Sequence, residues 1–288
     1  MRIDTERNEF LSLGERISSV LFLPETHLPL PALILCHGAM DFKENYFPFC
    51  SFLAGKGVAA LAMDMHGYGE SGGSRHHVVM EEWVADIRAA VASLQVHPRI
   101  DGTKIGAFGV SSGGTAILEC SLVEPGLRTL VTLDATIRPV FSLPERIFFG
   151  VMNLAGRAKT LLTGSGLRLS LVHALKNARV ASDPEVNAAW ISNPRVIEMW
   201  SSFPFPGFEE SYDVDTFKRV RDITVPTLVL HGAEDRIDSP ESARILYAFL
   251  NCTKGLHIIE GNGHLGHLDR NRHAVMELTV RWALKYLN

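Results

Sequence analysis

Residues 104–119 read KIGAFGVSSGGTAILE. The apolar run KIGAFGV ends at Val110, two serines follow at Ser111 and Ser112, and a helix-forming stretch begins within the same pair. Gly109 precedes the serines, and Gly113 and Gly114 follow them. A strand that turns at once into a helix holds its apex residue in a strained backbone conformation, with the side chain exposed. Small residues two before and two after let strand and helix approach. Gly109-Val110-Ser111-Ser112-Gly113 therefore fits G-x-S-x-G centred on Ser111, in the strand–turn–helix setting that this motif needs. Centring the pattern on Ser112 would put Val110 at the first small position. The Ser112 N–H, at the start of the helix, would instead point at negative charge developing on a substrate oxygen.

Outward from this turn the chain alternates. Toward the N-terminus, residues 16–24 and 31–38 read as strands, 47–57 as a helix stopped by a glycine, and 58–67 as an almost continuously apolar strand. Residues 79–95 place Val84, Ile87, Val91 and Leu94 on one helical face. Past the serines come a helix at 112–124, a strand at 128–135, a strand at 225–232, a helix at 240–250, a strand at 255–261 and a closing helix at 272–287. Strand alternating with helix predicts an α/β fold, a mainly parallel, doubly wound sheet covered on both faces. Between Ala135 and Val214 the rhythm breaks for far longer than an ordinary connection. Residues 149–162 and 169–180 in that interval look helical and amphipathic. The expected organisation is a core of residues 1–136 and 214–288 with a helical cap inserted at 137–213.

Composition narrows the function class. The 288 residues carry a formal net charge of −4, with 46% hydrophobic and 21% charged residues and no long run of like charge. That is ordinary for a globular enzyme or small-ligand binder and gives no electrostatic grip on nucleic acid. The N-terminus is charged from the start and lacks the apolar segment of a secretory signal, and no apolar run has membrane-spanning length. Cys36, Cys50, Cys120 and Cys252 are scattered without a CxxC pair, as expected of free thiols in a reducing compartment. The expectation is a cytoplasmic protein without stable membrane insertion, its oligomeric state left open. From Arg138 to Arg179 there are seven basic residues and one acid, Glu145, which read as a solvated basic face.

A serine hydroxyl is a poor nucleophile without a base. In the order Ser, Asp, His, the base falls late in the chain with its acid in between. Asp235 follows the strand at 225–232, and His264 follows the next strand in the glycine-rich loop of IIEGNGHLGH. Ser111, Asp235 and His264 thus all sit at C-terminal strand ends, where open α/β sheets bind ligands.

With LILCHGAM (33–40), AMDMHGYGESGG (62–73), GVSSGG (109–114), LHGAEDRI (230–237) and GNGH (261–264) in this order, the sequence resembles the α/β-hydrolase-fold serine hydrolases. It is similar to the branch of monoacylglycerol lipases, serine aminopeptidase-like proteins and cinnamoyl-ester-type esterases. The resemblance covers nearly the whole chain, although the insertion carries no recognisable motif. It implies Ser111 as nucleophile, Asp235 as acid and His264 as base, with the N–H groups of Ala39 and Ser112 forming the oxyanion hole and Met40 as the runner-up to Ala39. It implies no metal and no organic cofactor. His37, Asp64 and Gly67 match structural turns of the family.

Other assignments stay in view. Asp238 competes with Asp235 but reads better as the cap of the following helix. His267 competes with His264 but reads as a supporting or surface residue. His76 and His77 read as an exposed loop, and Cys36 as a buried strand residue. GHLGHLDRNRH lacks a metal-ligand spacing. The implied activity is hydrolysis of a small-molecule ester or thioester. Its rivals are an aminopeptidase-like amidase or an acyltransferase on the same residues, and a non-catalytic small-ligand receptor. The cap residues Phe149, Met152, Leu161, Leu162, Leu169, Leu171 and Leu175 are expected to divide between packing on the core and roofing the pocket.

Overall fold

The computed structural model describes residues 2–287. Its strands and helices in chain order are β1 (Ile3–Ser12), β2 (Glu15–Pro24), β3 (Leu30–Cys36), α1 (Phe47–Gly55), β4 (Ala59–Met63), α2 (Met80–Gln95), β5 (Ile100–Val110), α3 (Ser112–Ser121) and β6 (Leu127–Leu133). The insertion then contributes α4 (Leu143–Thr163), β7 (Leu167–Leu169), α5 (Val172–Leu175), α6 (Pro184–Ile191), α7 (Pro194–Ser201) and β8 (Phe203–Phe205). β9 (Thr227–Gly232), α8 (Pro240–Phe249), β10 (Lys254–Ile259) and α9 (Arg272–Leu287) close the chain.

Eight strands form one sheet in the order β1-β2-β4-β3-β5-β6-β9-β10. β1 and β2 pair antiparallel, as do β2 and β4, and the remaining pairs are parallel. The central strands carry apolar residues on both faces because both faces are covered. Leu33, Leu35, Phe108 and Val110 pack with Phe49 and Leu53 of α1 and Val275 and Val280 of α9. The alternate residues Ile34, Cys36, Ile105 and Ala107 pack on the other face with Trp83 and Ile87 of α2 and Ile117 of α3.

β1 is absent from the sequence reading. Its residues IDTERNEFLS are exposed or half-buried except Ser12 and line the sheet edge, where charged side chains guard the strand and no apolar alternation is required. The interval at 169–180 is also not one helix. Leu167–Leu169 pairs antiparallel with Phe203–Phe205, and only Val172–Leu175 is helical. Two helices lie further on, α6 and α7. Each carries proline at its start behind an Asp183 or Asn193 side chain that accepts a backbone N–H of the first turn. Asp-Pro and Asn-Pro are the sequence signals that announce them. No helix among the described residues is long and apolar enough to cross a membrane.

Candidate active site

Ser111 stands between β5 and α3 with φ 51° and ψ −122°, a strained conformation for a residue bearing a side chain. Its surroundings explain the glycines. A Cβ on Gly109 would come within 2.7 Å of the Gly114 nitrogen, and one on Gly113 within 2.6 Å of the Cys36 carbonyl oxygen. β5, the turn and the end of β3 are packed against one another through backbone alone. The same packing brings the loop after β3 to the serine, for a Cβ on Gly38 would stand 3.1 Å from the Ser111 Cβ. Ser112 is buried, and its hydroxyl lies 3.0 Å from that of Ser211 in the insertion.

Among the described residues, neither the Ala39 N–H nor the Ser112 N–H has a hydrogen-bond partner. Met40, in the same loop, has φ 59°. His37 is buried below this loop. Its Nδ1 lies 2.7 Å from the Gly38 carbonyl, and its Nε2 accepts the Met65 N–H at 3.0 Å, so it fixes two turns to each other.

His264 and Asp235 meet. The His264 Nδ1 is 2.8 Å from the Asp235 Oδ2, and the other carboxylate oxygen accepts the N–H groups of Ile237 at 2.8 Å and Asp238 at 3.0 Å. Burial opposes charge on both groups, yet their mutual attraction prevails. Asp235 is held well below the usual carboxylate range by His264 and His231, and His264 is raised above the usual imidazole value chiefly by Asp235. The His264 loop is braced by Asp269, which accepts the Gly263 N–H at 2.7 Å and those of Ser182 and Asp183, at 2.7 and 2.8 Å, from the insertion.

Ser111, His264, Gly38 and Ala39 line one cavity of about 210 Å³. Its remaining wall is mostly apolar, apart from Asp41, Thr136 and Ser211, and comes largely from the insertion, with Phe141, Trp190, Trp200, Phe208 and Tyr212 contributing. A larger cleft of about 470 Å³ between the ends of α3 and β9 contains none of the candidate residues. Of the seven cap residues expected to divide between core and roof, Phe149, Met152, Leu169, Leu171 and Leu175 pack with the core, Leu161 and Leu162 point to solvent, and none borders the cavity. Helical periodicity finds the apolar side of α4, but much of that side faces outward: Leu143, Ile147, Val151 and Leu154 are all exposed.

Other expectations are corrected as well. Ser239, not Asp238, caps α8 by accepting the Glu241 N–H, and the Asp238 Oδ1 accepts the Ser242 hydroxyl at 2.6 Å. His267, expected as a supporting or surface residue, is fully buried. It stacks on Tyr46 with ring centroids 4.4 Å apart, and burial lowers its pKa to about 4. His76 is likewise buried, not in an exposed loop. Cys36 is buried in β3, and burial pushes its thiol up.

Sequence reasoning passed over Asp41, Asp134 and His231. Asp41 borders the cavity, and its oxygens accept from the Phe42 N–H at 2.9 Å, the Asn45 amide and the Tyr46 hydroxyl at 3.0 Å. Asp134 and His231 lie beneath Asp235, and the signal for both was a polar residue at the end of an apolar strand on the ligand-binding edge. Two carboxylate clusters have the spacing of ion sites. In Glu44, Asp64 and Glu70 the Lys43 ammonium already lies 2.6 Å from Asp64 and 2.8 Å from Glu70. In Asp134, His231 and Asp235 the imidazole of His231 stands between the two carboxylates.

The profile of the family described as Serine aminopeptidase, S33 matches residues 29–271. An uncharacterized 31.7 kDa protein of Escherichia coli is 26% identical over 253 residues, which cover 85% of this chain and 87% of that protein. A monoacylglycerol lipase of Mycolicibacterium smegmatis is 25% identical over 239 residues, 81% of this chain and 80% of the lipase. The crystal structure of the α/β hydrolase GrgF from Penicillium sp. sh18 superposes with a TM-score of 0.84 at 17% identity, over 99% of both chains.

Proposed function

This chain belongs to the serine aminopeptidase S33 family and has the α/β-hydrolase fold, and from that premise we propose that it is a serine hydrolase cleaving small-molecule carboxylic esters or thioesters. Ser111 is the nucleophile, His264 the base and Asp235 the acid. Residues 137–213 serve as a cap on a catalytic core of 1–136 and 214–288. One observation carries the reading: a serine at φ 51° and a histidine 2.8 Å from a buried aspartate border the same apolar cavity, beside two unpartnered backbone N–H groups.

The steps follow from the residues. His264 Nε2 takes the Ser111 proton as the hydroxyl oxygen attacks the substrate carbonyl. The resulting oxyanion is held by the Ala39 and Ser112 N–H groups, which need no reorganisation to receive it. Asp235 holds the imidazole in position and stabilises its charged form. The imidazolium then gives its proton to the departing alcohol or thiol, leaving Ser111 acylated. Water, deprotonated by His264, releases the acid and restores the serine.

Cavity size and lining favour a short-to-medium apolar acyl group, since about 210 Å³ lies below the roughly 300 Å³ at which typical ligand pockets begin. The aminopeptidase reading needs a free carboxylate for an α-ammonium group. The lining carboxylate, Asp41, is already occupied by three donors. A series of p-nitrophenyl esters from acetate to laurate, run beside aminoacyl amides, tests the proposal. The expected kcat/KM rises for a few carbons beyond acetate and then levels. Faster turnover of aminoacyl amides than of esters would refute it.

A further inference from the structure

The Asp235 oxygen that meets His264 is shared. The His231 Nε2, at the C-terminal end of β9, lies 3.1 Å from the same Oδ2 and 3.0 Å from the Asp238 carbonyl oxygen. Asp134, just past β6, completes the group with its Oδ1 3.8 Å from that nitrogen. This oxygen also accepts the N–H of Gly232, the residue after His231, at 2.8 Å, while the Asp134 Oδ2 is buried without a partner. Asp134 adopts φ 53°, so the chain accepts backbone strain to bring its carboxyl here. His231 and Asp134 are both buried, and neither borders the substrate cavity.

We propose that His231 is a positioning residue, holding the Asp235 carboxylate from beneath the site and, through that shared oxygen, setting how firmly His264 keeps its proton. The proposal rests on the Ser111–His264–Asp235 reading. A carboxylate that faces one imidazole gives it the whole of its attraction. Here the oxygen faces two, and positive charge on the second opposes protonation of the first. The groups facing His231 are Asp134 from the end of β6 and Asp235 and Asp238 from the loop after β9. Those facing His264 are the same three carboxyls together with the neighbouring imidazole of His267.

The charge states agree with this arrangement. Burial opposes a charged His231, but Asp134, Asp235 and the Asp238 carbonyl outweigh it and raise the group to about 9, so it carries positive charge at neutral pH. Asp134 is raised to about 7, first by burial and then by Asp235, against the pull of His231 and His264. His231 thereby keeps the base closer to neutral pH than Asp235 alone would, and Asp134 works in the opposite direction.

The test is a titration of the His264 ring by NMR, assigned by the signal lost in His264→Gln, beside the pH dependence of kcat/KM for an ester. His231→Gln keeps an N–H donor without the charge, and His231→Leu keeps neither. Both should raise the His264 pKa by on the order of one unit. Asp134→Asn should lower it. His231→Leu should also reduce kcat about tenfold or more with KM little changed, while His231→Gln recovers most of that loss at a pH above the shifted ionisation. A structural role alone would not produce opposite shifts in the two positions. An unmoved or lowered His264 pKa in either His231 variant, or a raised one in Asp134→Asn, would overturn the inference. If one variant fails to fold, the sign in the other still decides. Should the wild-type ring titrate at a pH unrelated to the kcat/KM profile, the triad reading itself fails, and the ring shifts still judge the field of His231.

Discussion

At Ser111 a backbone φ of 51° and a place on the cavity wall distinguish this serine from its neighbour, which is buried against Ser211. The difference gives the first prediction. Ser111→Ala should lower kcat/KM for an ester by at least about 10³-fold, whereas Ser112→Ala keeps its backbone N–H and should stay within about tenfold of the parent. Steady-state kinetics on both variants check it, and reversed outcomes would move the nucleophile. His264 carries the second prediction. Its pKa is raised above the ordinary imidazole value of about 6.5, and only the neutral ring accepts a proton. Turnover should therefore fall as pH drops through a value above about 6.5, and a kcat/KM profile on folded protein measures it. The candidates Ser111, Asp235 and His264 could be picked out in the sequence because each follows a recognisable strand within a short motif. Asp134 and His231 could not, because their role depends on which strand ends are neighbours. β6 and β9 lie side by side in the sheet but nearly a hundred residues apart in the chain.

At the scale of elements, the turn from β5 to α3 depends on close approach of backbone, and the third prediction tests it. Gly113→Ala would bring a methyl within 2.6 Å of the Cys36 carbonyl oxygen. Such overpacking costs about 1–3 kcal/mol, so the urea midpoint should fall, and activity should fall with it because the Ser112 N–H moves. The core elements were legible because two-sided burial writes continuous apolar strands and periodic helices into the sequence. The insertion was less legible. Its α4 shows helical periodicity, yet the exposed Leu143, Ile147, Val151 and Leu154 make the outward face apolar as well. The cavity wall comes instead from the aromatic residues Trp190, Trp200 and Phe208, whose direction is set by tertiary packing. Hence the fourth prediction: Trp190→Ala should extend the acyl-chain optimum by a few carbons in an ester series, with acetate turnover changed less.

Across the whole molecule, the loops at the C-terminal sheet edge are fastened by buried charge. Lys43 and Asp64 form an ion pair of 2.6 Å with almost no exposure, and Asp64 also accepts the Lys43 and Glu70 N–H groups, each at 2.9 Å. Burial works against the Asp64 charge, but His37 and Lys43 outweigh it and lower its pKa. A carboxyl depressed in the folded state contributes stability above its unfolded pKa of about 3.9 and loses it as pH falls through the folded value. Lys43→Met leaves this carboxylate unpaired, and equilibrium urea unfolding at neutral pH should register a loss of about 3–5 kcal/mol. The central claim remains that Ser111 is acylated under the control of His264. It is tested most directly by treating the protein with a fluorophosphonate and locating the adduct by tandem mass spectrometry. The account predicts a single modification at Ser111, fast in the parent and strongly slowed in His264→Ala. A label on Ser112, or labelling of Ser111 at an undiminished rate without His264, would contradict it.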